Sequence, residues 1–112
     1  MEPINLKLFE GTENEDGDTK LKSIRVGLNK DGLFFIKVSA VSGTDPTLNV
    51  DIISYDEITE DWYVIGSFDE FTTTGKQALY IPGIGKEIGI QYAITGSAGQ
   101  SFTWKASTIL KD

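Results

Sequence analysis

LFFIKVSAVSGTDPTLNVDII, residues 33–53, decides the fold. Phe34, Ile36, Val38 and Ala40 fall on one parity and Phe35, Lys37, Ser39 and Val41 on the other, the period of an extended strand. Pro46 has no N–H to give to a ladder, so Ser42 to Pro46 is expected to form a connection. Beyond it Leu48, Val50 and Ile52 take the inner side of a second strand, with Asn49, Asp51 and Ile53 outside. An acidic turn, Asp56 to Asp61, leads into a third strand, Trp62 to Phe68.

The same alternation extends in both directions. Ile4, Leu6 and Leu8 alternate with Asn5, Lys7 and Phe9, and Ile24, Val26 and Leu28 alternate with Arg25, Gly27 and Asn29. Asp31-Gly32 between apolar runs predicts a tight hairpin, because glycine accepts the positive φ of a two-residue turn. Toward the C-terminus Leu79-Tyr80-Ile81, then Ile88, Ile90, Tyr92 and Ile94, then Phe102, Trp104 and Ala106 continue the pattern, ending in Ile109-Leu110. About eight short strands without a helix predict an all-β fold, a single β-sandwich over residues 1–112. Jelly-roll and immunoglobulin-like strand orders both fit. Residues 10–20, rich in Glu, Asp and Gly, are expected to be an exposed acidic loop, and the ends (1–9, 109–112) either complete sheet edges or lie across a neighbouring subunit.

Ser39-Ala40-Val41-Ser42-Gly43-Thr44 and Tyr92-Ala93-Ile94-Thr95-Gly96-Ser97 align as a weak repeat. Two equivalent hairpins, one per sheet, would produce it; so would the ordinary composition of β-turns.

Composition narrows the function classes. The 112 residues suit one core. Seventeen acidic against ten basic side chains give a net charge of −7, with Arg25 the sole arginine, which disfavours a phosphate backbone as partner. Cysteine and histidine are absent, removing disulfides, thiolate metal sites and the usual general base. No apolar run is long enough for a membrane helix, and the opening Met1-Glu2-Pro3 has no signal-peptide character. A hydrolase would need paired carboxylates in a cleft, whereas these acids fall in turns where solvent keeps them ionised. A non-enzymatic chain is therefore expected, without a cofactor.

Two weaker signals remain. Asn14, Asp16 and Asp18 place oxygen ligands on alternate residues around Gly17, as in a calcium loop, but the bidentate Glu that an EF-hand needs six residues after its glycine is replaced by Ser23. No helix flanks the loop, and an incidental acidic loop is the preferred reading. Trp62 and Tyr63 suggest an aromatic platform for a sugar. Trp104 keeps step with Phe102 and Ala106 as a core residue, and Trp62 either caps the core or stands exposed.

Val41-Ser42-Gly43-Thr44-x-Pro46-Thr47-Leu48-x-Val50, followed by Trp62-Tyr63, Phe68 and Ser101-Phe102-Thr103, resembles small β-rich structural proteins of tailed-phage particles. The resemblance spans Leu33 to Trp104, about two thirds of the chain, and consists largely of turn chemistry. It implies a sandwich or jelly roll assembled as a homo-oligomer, such as a trimer, on the virion surface, in contact with a capsid or tail protein. The acidic loop at 10–20 departs from that pattern, and no functional residue carries over. The expected function is capsid decoration or cementing; the alternative is a carbohydrate- or receptor-binding module using Trp62 and Tyr63.

Overall fold

The computed structural model describes residues 4–27 and 30–111. It is a β-sandwich of nine strands with no α-helix among the described residues: β1 (Ile4–Glu13), β2 (Gly17–Asp18), β3 (Ile24–Arg25), β4 (Asp31–Thr44), β5 (Thr47–Asp56), β6 (Asp61–Ser67), β7 (Gly75–Ile81), β8 (Glu87–Thr95) and β9 (Ala98–Lys111). The first sheet runs β1-β9-β4-β7 and the second β2-β8-β5-β6, with β3 also on β8; every pairing is antiparallel.

β2 and β3 are two pieces of one edge strand. Thr19 continues the ladder, donating its N–H to the Ile90 carbonyl (2.9 Å) and accepting the Ile90 N–H at Oγ1 (2.9 Å). A 3₁₀ turn at Lys20–Lys22 then leaves the sheet, carrying Leu21 fully into solvent, and Val26 rejoins it by donating to the Lys86 carbonyl (2.7 Å). With β2 and β3 counted together, the chain is a two-stranded ribbon turned back at the β5–β6 hairpin, pairing β4 with β7, β2 and β3 with β8, and β1 with β9. Wrapping that ribbon brings β9 beside β4 and β8 beside β5, which is the jelly-roll order. In an immunoglobulin sandwich the first strand pairs with the second; here β1 pairs with the last.

The inward parity expected for β4, β5, β8 and β9 holds over most of its length. Phe34, Ile36 and Val38, then Leu48, Val50 and Ile52, and opposite them Ile88, Ile90, Phe102 and Trp104, form one dry cluster between the sheets. Trp104 lies against the Phe9 ring, with centroids 4.2 Å apart and planes 18° from parallel, and meets Tyr92 edge-on at 4.9 Å. Such contacts add about 0.5–1.5 kcal/mol each beyond buried area. They offset the cost of the Trp104 Nε1–H, which is buried without a hydrogen-bond partner among the described residues. Thr108, also fully buried, donates its hydroxyl to the Leu33 carbonyl at 3.2 Å.

The strand register shifts in four places, and two of these shifts overturn an expected parity. An extra residue on β1, Leu8, lets Leu8 and Phe9 both reach the core, so Phe9 is not on the outer side. Ser39 does the same on β4: beyond it Val41 turns inward and Ala40 outward, the reverse of the simple alternation. Ile53 does face outward, yet it is buried, beside Gly89 and outside the main core.

The Asp31-Gly32 hairpin does not form. Both residues belong to β4, where Gly32 pairs with Ile81 and Leu110, and β3 lies in the other sheet. Gly32 is needed for space rather than for positive φ: a Cβ there would lie 2.5 Å from the Phe34 ring. Leu28 and Asn29 lie outside the described residues. The acidic loop is shorter than residues 10–20, because β1 runs to Glu13 and β2 starts at Gly17. Likewise β4 continues through Ser42 to Thr44, so only Asp45 and Pro46 connect it to β5.

The two repeat segments are not hairpins either. Each ends at a corner where the chain passes from one sheet to the other, and the two corners bond to one another. Ser97 donates its N–H to the Thr44 carbonyl (2.9 Å), the Thr47 and Thr95 hydroxyls are in contact, and the Ser42 and Ser101 hydroxyls lie 2.6 Å apart. Gly43, at φ 101°, is crossed so closely by Gln100 that a Cβ would sit 2.6 Å from its backbone. Of the two ends, β1 is an edge strand of the first sheet and Ile109-Leu110 belong to β9 in its middle.

Candidate contact face

The outer side of the first sheet carries what the inner side leaves over. Antiparallel register sets its side chains in rows across β7, β4, β9 and β1. The first row is Tyr80, Leu33, Ile109 and Asn5; the second is Ala78, Phe35, Ser107 and Lys7; the third is Lys76, Lys37, Lys105 and Glu10. Leu33 and Tyr80 are 37% and 56% exposed, while Phe35 and Ile109 are half-buried, so the apolar rows are partly open to water. Between Phe35 and the three lysines lies a shallow groove of about 560 Å³, also lined by Gln77, Ala78 and Ser107.

Lys76, Lys37 and Lys105 stand directly opposite one another on three adjacent strands, an arrangement that costs stability. Compensation comes from one end only. Glu10 receives Lys105 Nζ at 3.0 Å and Lys7 Nζ at 3.3 Å. Those hydrogen bonds, that of Lys105 foremost, hold the Glu10 carboxyl below its ordinary pKa. Among the described residues Lys37 and Lys76 have no ion-pair partner. At the other end Tyr80 donates to Asp31 Oδ2 (3.0 Å), which raises the phenol's pKa, while Asp31 Oδ1 accepts the Gly83 N–H (3.0 Å). A face of this kind can bind an apolar surface bordered by carboxylates.

The residues singled out in the sequence lie elsewhere. Trp62 pairs with Tyr55 on the outer side of the second sheet, ring centroids 5.3 Å apart, and is half-buried there. Tyr63 pairs with Ser54, whose side chain points inward, and its hydroxyl donates to Thr59 Oγ1 at 2.8 Å. Neighbouring strand residues project to opposite faces, so Trp62 and Tyr63 do not make one platform. Of the calcium-loop residues, Asp16 accepts the Ile94 N–H (2.8 Å) and Asp18 accepts that of Lys20 (3.0 Å), so both tie the loop down. Among the described residues no three His, Cys, Asp or Glu side chains converge on a possible metal position. In the β5–β6 turn, Asp56 is not an ordinary solvated acid: the Thr59 N–H (2.9 Å) and hydroxyl (2.8 Å) bond its carboxylate and lower its pKa.

Sequence reasoning missed the basic face although one half of the signal was present. Residues 33–36 are apolar on both parities, as in a strand covered on both sides. The other half, the lysine row, exists only once β7 and β9 flank β4. No protein-family model and no curated protein matches the chain.

Proposed function

We infer that this chain is a non-enzymatic contact protein, and specifically a virion structural protein of the capsid-decoration or cement kind. It sits on the particle surface and acts through oligomeric contacts and contacts with a capsid or tail protein. The observation that supports this reading is the outer side of the first sheet, where Leu33, Phe35, Ile109 and Tyr80 adjoin three opposed lysines. A sheet face with apolar rows and uncompensated like charges is costly in water and gains from being covered. The net charge of −7 argues that the cover is protein rather than nucleic acid.

The test begins with mass spectrometry of gradient-purified particles, in which the chain is expected. Wild-type and Phe35→Ser proteins are then added to particles made without it. The wild type should sediment with the particles and the variant should stay behind; absence from the particles, or equal sedimentation of both proteins, overturns the reading.

A further inference from the structure

The second sheet also presents a charged row on its outer side, of the opposite sign. Asp18, Gln91, Asp51 and Ser67 stand in register across β2, β8, β5 and β6. Ser67 Oγ and Gln91 Nε2 donate to Asp51 at 2.7 and 3.0 Å, which fixes that carboxylate and leaves Gln91 Oε1 as an acceptor. Asp18, Gln91 and Asp51 line a groove of about 380 Å³ together with Asp16 and Asn49. Two residues further along β5 the row is Gly89, Ile53 and Val64, with Val64 more than half exposed. The lysine row of the first sheet is likewise followed, two residues along β4, by the row containing Ala78 and Phe35.

From this match we propose that the occupant of the basic face is a second copy of this chain, which lays the acidic outer face of its second sheet on it. The proposal rests on the contact-protein reading and names the partner. Neighbouring strands in any sheet lie about 4.8 Å apart, so the two rows share one pitch. Asp18 and Asp51, two strands apart, can therefore meet Lys76 and Lys105, while Gln91 Oε1 meets Lys37. The apolar rows come together beside them, with Phe35 over Gly89, the residue two places before Gln91 on β8. Because the two faces lie on opposite sides of the sandwich, the contact is heterologous. Each copy has one face left over after the first contact, so the product is an open stack rather than a closed pair.

Sedimentation velocity on wild-type protein, Lys37→Glu and Asp51→Lys tests this, with circular dichroism to establish that each is folded. Should Asp51→Lys not fold, Asp18→Lys, at an exposed position, takes its place. Wild type is expected to grow beyond dimer as concentration rises to about 100 µM, well above the Kd of a micromolar interface. Each variant alone should be a monomer, since one keeps only an acidic face and the other only a basic one. Their equimolar mixture should give dimers and nothing larger. A monomeric wild type, variants that assemble as the wild type does, or a mixture that stays monomeric overturns the proposal. A protein that is monomeric yet sediments with particles loses the stack and keeps the contact function; one that stacks and ignores particles does the reverse.

Discussion

On the inner side of the first sheet Phe34, Val38, Trp104 and Thr108 are fully buried or nearly so, and Trp104 lies between two further rings. On the outer side the alternate residues of the same strands, Leu33, Phe35, Lys37 and Lys105, leave an apolar surface open and set like charges side by side. The inner side is arranged for stability, and the outer side gives some of it up. A domain that only had to fold would put threonine or alternating charge where Lys37 stands, and that difference is what makes the outer side the candidate contact face.

The largest test of that contrast uses two adjacent phenylalanines. Phe34→Ala removes a buried ring and should lower unfolding free energy by about 3–5 kcal/mol. Phe35→Ala, one residue away on the open side, should cost no more than about 1 kcal/mol. Denaturant titration of both measures this, and equal losses would mean that the outer face is already covered within the monomer. A smaller effect of opposite sign is expected from Lys37→Thr, which relieves the central repulsion and should raise stability by about 0.2–1 kcal/mol in the same titration. Loss of stability on that substitution would break the comparison.

The smallest effect sharpens it. Glu10 is the anion at one end of the lysine row, and its pKa is depressed, first by the Lys105 hydrogen bond. A depressed carboxylate contributes stability above its unfolded pKa and loses it as pH falls through the folded one. The difference in Tm between wild type and Glu10→Gln should therefore be present at neutral pH and close as pH drops below 4.5. By NMR the Glu10 carboxyl should titrate below 4.5, and Lys105→Met should move it back up.

How far the sequence reveals this molecule can be seen strand by strand. The inner parities of β5, β8 and β9 were legible because burial on one side enforces alternation, and the all-β class followed from them. Leu8 and Ser39 mark where legibility ends: a bulge inserts one residue against a partner strand, and nothing in the local sequence announces it. Asp31-Gly32 misled because its turn chemistry is local, whereas the demand on Gly32 comes from the Phe34 ring. The opposed faces of Trp62 and Tyr63 could have been read directly, since adjacent positions in a strand cannot share a side. The lysine row could not, because Lys37, Lys76 and Lys105 become neighbours only through the wrap of the ribbon.

That wrap also fixes an order of events during synthesis. β9 lies between β1 and β4, so a ribosome delivers both flanking strands before the one that joins them. β8 stands in the same relation to β2 and β5. Neither sheet can close until its late central strand has emerged: β4–β7 and β5–β6 can pair before then, whereas β1 and β2 have no other partner strand. Closure of both sheets therefore depends on the two late strands, β8 and β9.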